Sequence, residues 1–186
     1  YGDRIENTVI PVVEHPQVLA ELMTAIPSRP SLFKLCDSRH ADAIGASFRL
    51  DARGCVLSYT ATKATKPADP SVVRSSTLDD RIGALFALND YAPDELDGFF
   101  AHNDERSFAL FDRDRPVSVG FTFRNFADVY EIGGIRTVNS GLRRGLAARI
   151  VNAAIAYLID SGYQPRYVVS EANTASQRLA SSCQME

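Results

Sequence analysis

Residues 137–147 (TVNSGLRRGLA) join the end of a strand-like run directly to the longest helical pattern of the chain. Apolar residues recur at helical spacing over 142–161, and Gly162 stands where the C-terminal cap of this helix is expected. The first backbone N–H groups of a helix lack partners within it and have partial positive charge. A turn that contains Gly141 and Gly145 at such a point predicts a diphosphate-binding site, although a glycine turn with solvated arginines also fits these residues.

Two other phosphate motifs are excluded. The sequence GxxxxGK[ST] of a P-loop is absent, and no lysine follows Lys66. The dinucleotide fingerprint GxGxxG fails as well, because Gly141 and Gly145 are four residues apart. The strand before them is also expected in an antiparallel meander and not in a parallel βαβ unit.

The second half of the chain predicts a β-meander followed by helix, strand and helix. Alternating apolar residues indicate three antiparallel strands, and Asn173 or Thr174 is the expected N-cap of the final helix. This order predicts an α/β (α+β) domain with a mixed, mostly antiparallel sheet flanked by helices. The predicted strands are 107–111, 117–123, 129–138 and 167–169, and the predicted helices are 142–161 and 174–183.

The first half is less regular and predicts an N-terminal α/β appendage over residues 1–70, with the main domain over 71–186. Residues 62–71 are polar, contain two prolines and have no periodicity, so they are the best candidate for a linker. We expect strands at 8–13 and 31–36, helices at 16–26 and 41–46, and a hairpin of 48–50 with 55–60. A strand at 72–74, a helix at 81–88 and a short helix from Ala92 should follow.

Composition narrows the class of protein. The chain has 186 residues, of which 45% are hydrophobic and 23% charged, as in soluble globular domains. A net charge of −3 argues against a dedicated nucleic-acid binder. The three cysteines are far apart, so we expect no disulfide framework and no metal site. No apolar run reaches the roughly 18 residues of a membrane span, and a cytoplasmic location is the simplest expectation.

The motifs together resemble the GNAT superfamily of acyl-CoA-dependent N-acetyltransferases. Residues 142–147 (LRRGLA) are similar to its signature [QR]xxGx[GA], which follows a strand, although Leu142 stands at the [QR] position. Residues 170–179 (SEANTASQRL) resemble the later family segment N-x-x-[SA]-x-x-L. The two matches occur in the family's order, and the resemblance extends over about residues 72–186.

The resemblance implies a binding site for acetyl-CoA as co-substrate. Its diphosphate would rest on the turn, and its pantetheine arm would pair with the main chain of the preceding strand like an added strand. Asn173 would bond the pantetheine or the diphosphate, and Ser176 could assist. The implied turn residues are Leu142, Arg143, Arg144, Gly145, Leu146, Ala147 and Ala148, and the implied strand residues are Ile135, Arg136 and Thr137.

The resemblance also implies direct transfer of an acetyl group to a primary amine. Glu131 is the candidate base, with a solvated residue or a partner of Arg124 or Arg136 as its alternative, and a backbone N–H near Ile135 would stabilise the oxyanion. Ala180 stands where the family usually has a tyrosine acid. A non-catalytic acyl-CoA-binding module and another acyl transfer on the same scaffold therefore stay open.

The acceptor is open too, as are the general acid, the oligomeric state and the C-terminal completeness of the domain. Residues 1–70 could complete the sheet, support a homodimer or shape the acceptor site. We expect acetyl-CoA and an amine as partners, and neither nucleic acid nor membrane.

Overall fold

A computed structural model describes residues 7–9, 16–26, 31–35, 37, 39–88, 96, 98, 100 and 104–186. Contacts divide the chain into two compact units, residues 1–53 and 54–186. The predicted helix that begins at Ala92 lies almost wholly outside the described residues, as do residues 10–13 of the first predicted strand.

The first unit has a small strand–helix–strand–helix arrangement. Strand β1 (Asn7–Val9) leads to helix α1 (Pro16–Leu22) and a 3-10 turn (Met23–Ala25), and strand β2 (Ser31–Phe33) leads to helix α2 (Arg39–Gly45). The two strands pair in parallel. Leu19, Met23 and Ile44 form the buried core. The predicted helices of this region are thus confirmed.

The second unit is built on a six-stranded sheet with the order β3-β8-β7-β6-β5-β4. Its meander is confirmed, because β5, β6 and β7 pair in antiparallel fashion. The only parallel neighbours among its described strands are β7 and β8. The strands are β3 (Val56–Thr60), β4 (Val73–Ser75), β5 (Arg106–Asp112), β6 (Arg115–Phe126), β7 (Val129–Thr137) and β8 (Gln164–Ser170).

Helices cover both faces of this sheet. Helix α3 (Asp80–Ala87) packs on one face, where Phe86 and Phe121 are fully buried. Helices α4 (Leu146–Asp160) and α5 (Thr174–Ser182) contribute to the core on the other face. Successive residues of β5 point to opposite faces of the sheet. Phe108 therefore packs in the core on the side of α4 and α5, and Ala109 packs in the core on the side of α3. The expected mixed, mostly antiparallel sheet flanked by helices is confirmed.

Two predicted elements need correction. Residues 48–50 and 55–60 form no hairpin, because β3 pairs in antiparallel fashion with β8, from Val56 opposite Ser170 to Thr60 opposite Arg166. The partner strand, β8, is far away in sequence, so the local pattern around residues 48–60 does not reveal the pairing. The long helix begins at Leu146 and not at 142, because Gly145 has a left-handed backbone (φ +74°) that ends the preceding turn. A separate role for residues 1–70 stays a prediction.

Candidate active site

The centre of the second unit is a cleft between β7 and β8. Both strands are fully described, and they pair at only three positions, the last of which joins Glu131 to Arg166. Beyond this pair the strands separate around a volume of about 540 Å³. The cleft is lined by Leu88, Phe123, Glu131, Ile132, Gly133, Gly134, Ile135, Arg136, Tyr167, Val168, Val169, Ser170, Asn173 and Ser176.

A β-bulge bends β7 where the cleft opens. Phe121 of β6 lies opposite Gly133 and Val119 opposite Arg136, so β7 has one extra residue between these pairs. Gly134 takes the left-handed conformation that this bulge needs (φ +62°). A Cβ atom at Gly134 would lie 2.2 Å from Cε1 of Phe121, so only glycine fits.

After the bulge, β7 keeps one edge for β6 and turns the other to the cleft. The N–H of Val138 donates to the carbonyl of Val117 in β6 at 3.0 Å. Successive N–H groups of a strand alternate between its edges, so Thr137 and Ile135 direct theirs away from β6. The main chain of these two residues therefore faces the side on which the cleft lies, and an extended ligand could pair with it.

The turn after β7 leaves a row of amide groups for a ligand. A 3-10 turn (Asn139–Gly141) precedes Arg143, which has a left-handed backbone (φ +60°). The N–H of Arg149 donates to the carbonyl of Gly145 at 3.1 Å, whereas the six amides of residues 143–148 have no backbone acceptor within the described residues. Gly145 supplies no side chain to cap them. Such a helix start favours an anion.

The start of α5 is capped by the side chain of Asn173. Oδ1 of Asn173 accepts from the N–H of Ser176 at 3.0 Å, which confirms the predicted N-cap. The Asn173 amide nitrogen is not used in this cap. Both side chains line the cleft. The cap is thus compatible with a bond from Asn173 to a ligand.

Glu131 lies at the closed end of the cleft, in the last pair of β7 with β8. The Nδ2 atom of Asn125 donates to its carboxylate at 2.9 Å. Its side chain is half-buried, next to Phe123 across the β6–β7 ladder. Asn125 is thus one partner of this carboxylate, and a carboxylate that lines the cleft can accept a proton from a substrate there.

The structure brings five of the thirteen sequence-predicted site residues together in the lining of the cleft, and the other eight lie outside that lining. Glu131, Ile135, Arg136, Asn173 and Ser176 line the cleft. Thr137 follows them in β7, and its hydroxyl bonds that of Ser118 at 2.8 Å. The turn residues lie beyond Thr137, with Leu142 exposed and Leu146 buried. The set at the turn is Leu142, Arg143, Arg144, Gly145, Leu146, Ala147 and Ala148.

Sequence reasoning missed Tyr167, the first residue of β8 beyond the last pair with β7. Only 5% of this tyrosine is exposed. Burial raises the pKa of its phenol, and hydrogen bonding with the Ser176 side chain acts in the opposite direction to a smaller extent. The sequence shows a tyrosine in the strand expected at 167–169, but its apolar neighbours favour a buried core residue over a residue of the cleft.

Comparison with known proteins identifies the family of this fold. The model of the acetyltransferase (GNAT) family matches residues 74–184, which include the whole cleft. The chain therefore belongs to the acetyltransferase (GNAT) family. No curated protein sequence matches it. The resemblance seen in the motifs is thus confirmed.

Solved structures agree on the fold at low sequence identity. A GNAT-family acetyltransferase from Novosphingobium aromaticivorans is 20% identical with a TM-score of 0.56, over 70% of this chain and 58% of its own. An acetyltransferase from Bacillus subtilis in complex with CoA is 17% identical with a TM-score of 0.53, over 61% and 74%. AAC(6')-Iy with a CoA-containing bisubstrate analogue is 15% identical with a TM-score of 0.51, over 62% and 90%.

No helix within the described residues is long and apolar enough to cross a membrane.

Proposed function

We propose that the protein is an acetyl-CoA-dependent N-acetyltransferase that transfers the acetyl group directly to a primary amine. The observation that supports this best is the continuity of one strand edge with one helix start. The edge at Ile135 and Thr137 follows the Glu131 carboxylate and precedes the amides of residues 143–148. An extended thioester with a diphosphate needs these features in this order.

The diphosphate would bind at the start of α4. Arg143 and Arg144 add two exposed cations to the amides there. The pantetheine arm would pair with the free edge of β7, where the main chain supplies hydrogen bonds independently of side-chain identity. The Asn173 amide nitrogen would donate to the same arm. The structure of CoA bound to the B. subtilis acetyltransferase agrees with this class of co-substrate.

The thioester would then lie near Glu131, at the closed end of the cleft. Glu131 would accept the proton that the ammonium must lose before the amine attacks. A backbone N–H near Ile135 would stabilise the oxyanion of the tetrahedral intermediate, because the bulge at Gly134 points this part of β7 into the cleft. The acceptor would enter over Phe123 and Leu88, which line the same cleft.

Calorimetry with acetyl-CoA, followed by thiol release on a panel of amines, tests this proposal. The panel contains an aminoglycoside, a polyamine, a peptide N-terminus and a lysine peptide. Glu131→Gln should lower kcat by about 100-fold or more, as removal of a general base typically does, and leave the Kd of acetyl-CoA unchanged. Asn125→Ala, which removes only the neutral donor to this carboxylate, is the matched control and should retain most of the activity.

Other results would favour the alternatives. Binding of acetyl-CoA without thiol release on any amine indicates a non-catalytic acyl-CoA-binding module. Release with hydroxyl acceptors alone indicates O-acylation on the same scaffold. A chain that does not bind acetyl-CoA contradicts the proposal at its first step. The cytoplasmic location stays a prediction.

A further inference from the structure

Acetyl transfer to an amine needs a proton at the leaving group, and this inference rests on the function proposed above. When the tetrahedral intermediate collapses, the C–S bond breaks and its electron pair stays on sulfur. A thiol has an ordinary pKa of about 8.5, so at neutral pH sulfur leaves more readily as a protonated thiol than as a thiolate. A proton donor next to the sulfur would lower this barrier.

Few side chains in the cleft can donate this proton. The described residues that line it include three hydroxyl groups, on Tyr167, Ser170 and Ser176. A phenol has an ordinary pKa of about 10, close to the 8.5 of a thiol, whereas the hydroxyl of serine is a much weaker acid. Proton transfer is most efficient between groups of similar pKa. Of these three hydroxyl groups the phenol is therefore the closest in acidity to the thiol, even with its pKa raised by burial.

Ser181 and Cys183, near the end of α5, also carry a proton on oxygen or sulfur, but they lie outside the cleft. Ser181 lines a different cavity, which is formed with Thr60 and the last residues of the chain. Cys183 is 1% exposed, and its thiol is directed at the carbonyl of Ala148 at 3.8 Å. Neither residue lines the cleft between β7 and β8.

Tyr167 directly follows Arg166, whose pair with Glu131 closes the cleft. Because successive strand residues point to opposite faces, the phenol and the carboxylate flank the point where the strands part from opposite faces of the sheet. Its ring packs in the same core as Ala180 of α5, which has only a methyl group. A small residue in this core leaves space for a tyrosine that reaches it from β8.

We propose that the hydroxyl of Tyr167 donates the proton to the departing sulfur. The C–S bond breaks, sulfur takes its electron pair and the phenol proton, and the nitrogen loses its second proton to water. The products are the amide, the thiol and a phenolate. Water returns a proton to the phenolate, and the proton taken from the ammonium leaves Glu131 to solvent. Acetyl-CoA and the amine supply every other atom.

The surroundings of the phenol suit this cycle. Burial raises its pKa, so the hydroxyl keeps its proton at neutral pH. Hydrogen bonding with Ser176 acts to lower the pKa, which means that it stabilises the phenolate formed in the step.

Tyr167→Phe in the full chain tests the proposal. We expect kcat with the best amine of the panel to fall about 100-fold or more, with the Kd of acetyl-CoA within twofold of the parent. The matched control is Tyr59→Phe. Tyr59 lies in β3 directly opposite Tyr167 and packs against the same core. This control should keep the parental kcat, and the thermal midpoints of both variants show whether the fold is intact.

A second variant separates proton donation from packing. Trifluorotyrosine at position 167 keeps the shape of the side chain but ionises at much lower pH. The rate should then fall with rising pH in a range where the parent is constant. A pH profile that does not move, or a Tyr167→Phe variant as active as the parent, overturns the proton donor but leaves the acetyltransferase intact. A parent that binds acetyl-CoA and acetylates no amine overturns both.

Discussion

The two strands that border the cleft lead into helices that begin in opposite ways. In the β8 arm (residues 164–182) the strand is regular, and Asn173 caps the helix with its own side chain. In the β7 arm (residues 129–160) the strand has a bulge at Gly134, and the helix starts at Gly145 with no side-chain cap. In the β8 arm Asn173 caps one amide, that of Ser176, whereas in the β7 arm the amides of residues 143–148 have no backbone acceptor within the described residues. The irregular arm is therefore the one that we propose binds the diphosphate.

Substitution at the bulge of the β7 arm should have the largest effect on the stability of the protein. Gly134→Ala places a methyl group 2.2 Å from Phe121 in a left-handed conformation. We expect the free energy of unfolding to fall by about 3 kcal/mol, from backbone strain and overpacking together. Urea denaturation measures this change.

Gly162→Ala is the matched control for this bulge variant. Gly162 also has a positive φ (+78°), but no atom lies within 4 Å of the added Cβ. Its loss should be about 1 kcal/mol, the cost of the left-handed backbone alone. Equal losses in the two variants would show that the contact with Phe121 is not what requires glycine at 134.

A side-chain cap on α4 should make the two arms alike and weaken the binding of CoA. Gly145→Asp puts a carboxylate at the amides, and its repulsion of a diphosphate at about 4 Å would weaken the affinity for CoA by roughly 100-fold or more. Gly145→Asn has the same shape and tolerates φ +74°, but has no charge. It should weaken binding only about tenfold, as a competing cap.

Calorimetry with CoA measures both Gly145 variants. If the Asp and Asn variants bind CoA with the same affinity as the parent, the amides at the start of α4 do not hold its diphosphate.

The reverse change, removal of the cap from the β8 arm, should affect stability. Asn173→Ala leaves the N–H of Ser176 without its acceptor, which should lower the free energy of unfolding by about 1 kcal/mol. Asn173→Asp restores the acceptor and should recover most of this loss. Thermal denaturation of the three proteins provides the test, and a parental midpoint for Asn173→Ala would mean that the cap contributes nothing.

The smallest effect should come from a contact that joins the segment 62–71 to the β7 arm. Nε of Arg149 lies 2.5 Å from Oδ2 of Asp69, and Ser71 also donates to this carboxylate. The Arg149 guanidinium and Ser71 hold the pKa of Asp69 well below its ordinary value. A group whose pKa is lowered by folding contributes stability above its unfolded pKa, about 3.9, and loses it as the pH falls further.

Asp69→Asn should therefore lower the thermal midpoint slightly at pH 7, and the difference from the parent should shrink as the pH falls from about 4 towards the lowered pKa of Asp69 in the folded protein. Added salt should reduce it at pH 7, because the pair is exposed to solvent. A difference that is as large at pH 2 as at pH 7 would show that the contact acts through something other than the charge of Asp69.

Much of this site is predictable from the sequence because its signals are local. Glycines at 141 and 145 and the apolar spacing that follows define a strand–turn–helix, and Asn173 defines the next helix start. The exact start of α4 was missed by four residues, since LRRG reads as well in a helix as in a turn. The positive φ values of Arg143 and Gly145 settle it.

The bulge at Gly134 could not be placed from sequence, because two adjacent glycines in a strand do not say which residue is unpaired. The strand that pairs with residues 56–60 could not be predicted from sequence either. The predicted hairpin partner is near in sequence, whereas the strand that actually pairs, β8, is about 110 residues away. Tyr167 was read as part of an apolar strand, and only the divergence of β7 and β8 makes it a cleft residue.

The sequence by itself determined the meander, the amphipathic helices and a helix start suited to a diphosphate, because periodicity and capping depend on neighbours a few residues apart. The tertiary structure alone decided that β7 and β8 pair for three residues and then part, and that Glu131 and Tyr167 flank the point of parting. Register and divergence depend on the packing of a whole sheet between helices, which no single stretch of this chain encodes.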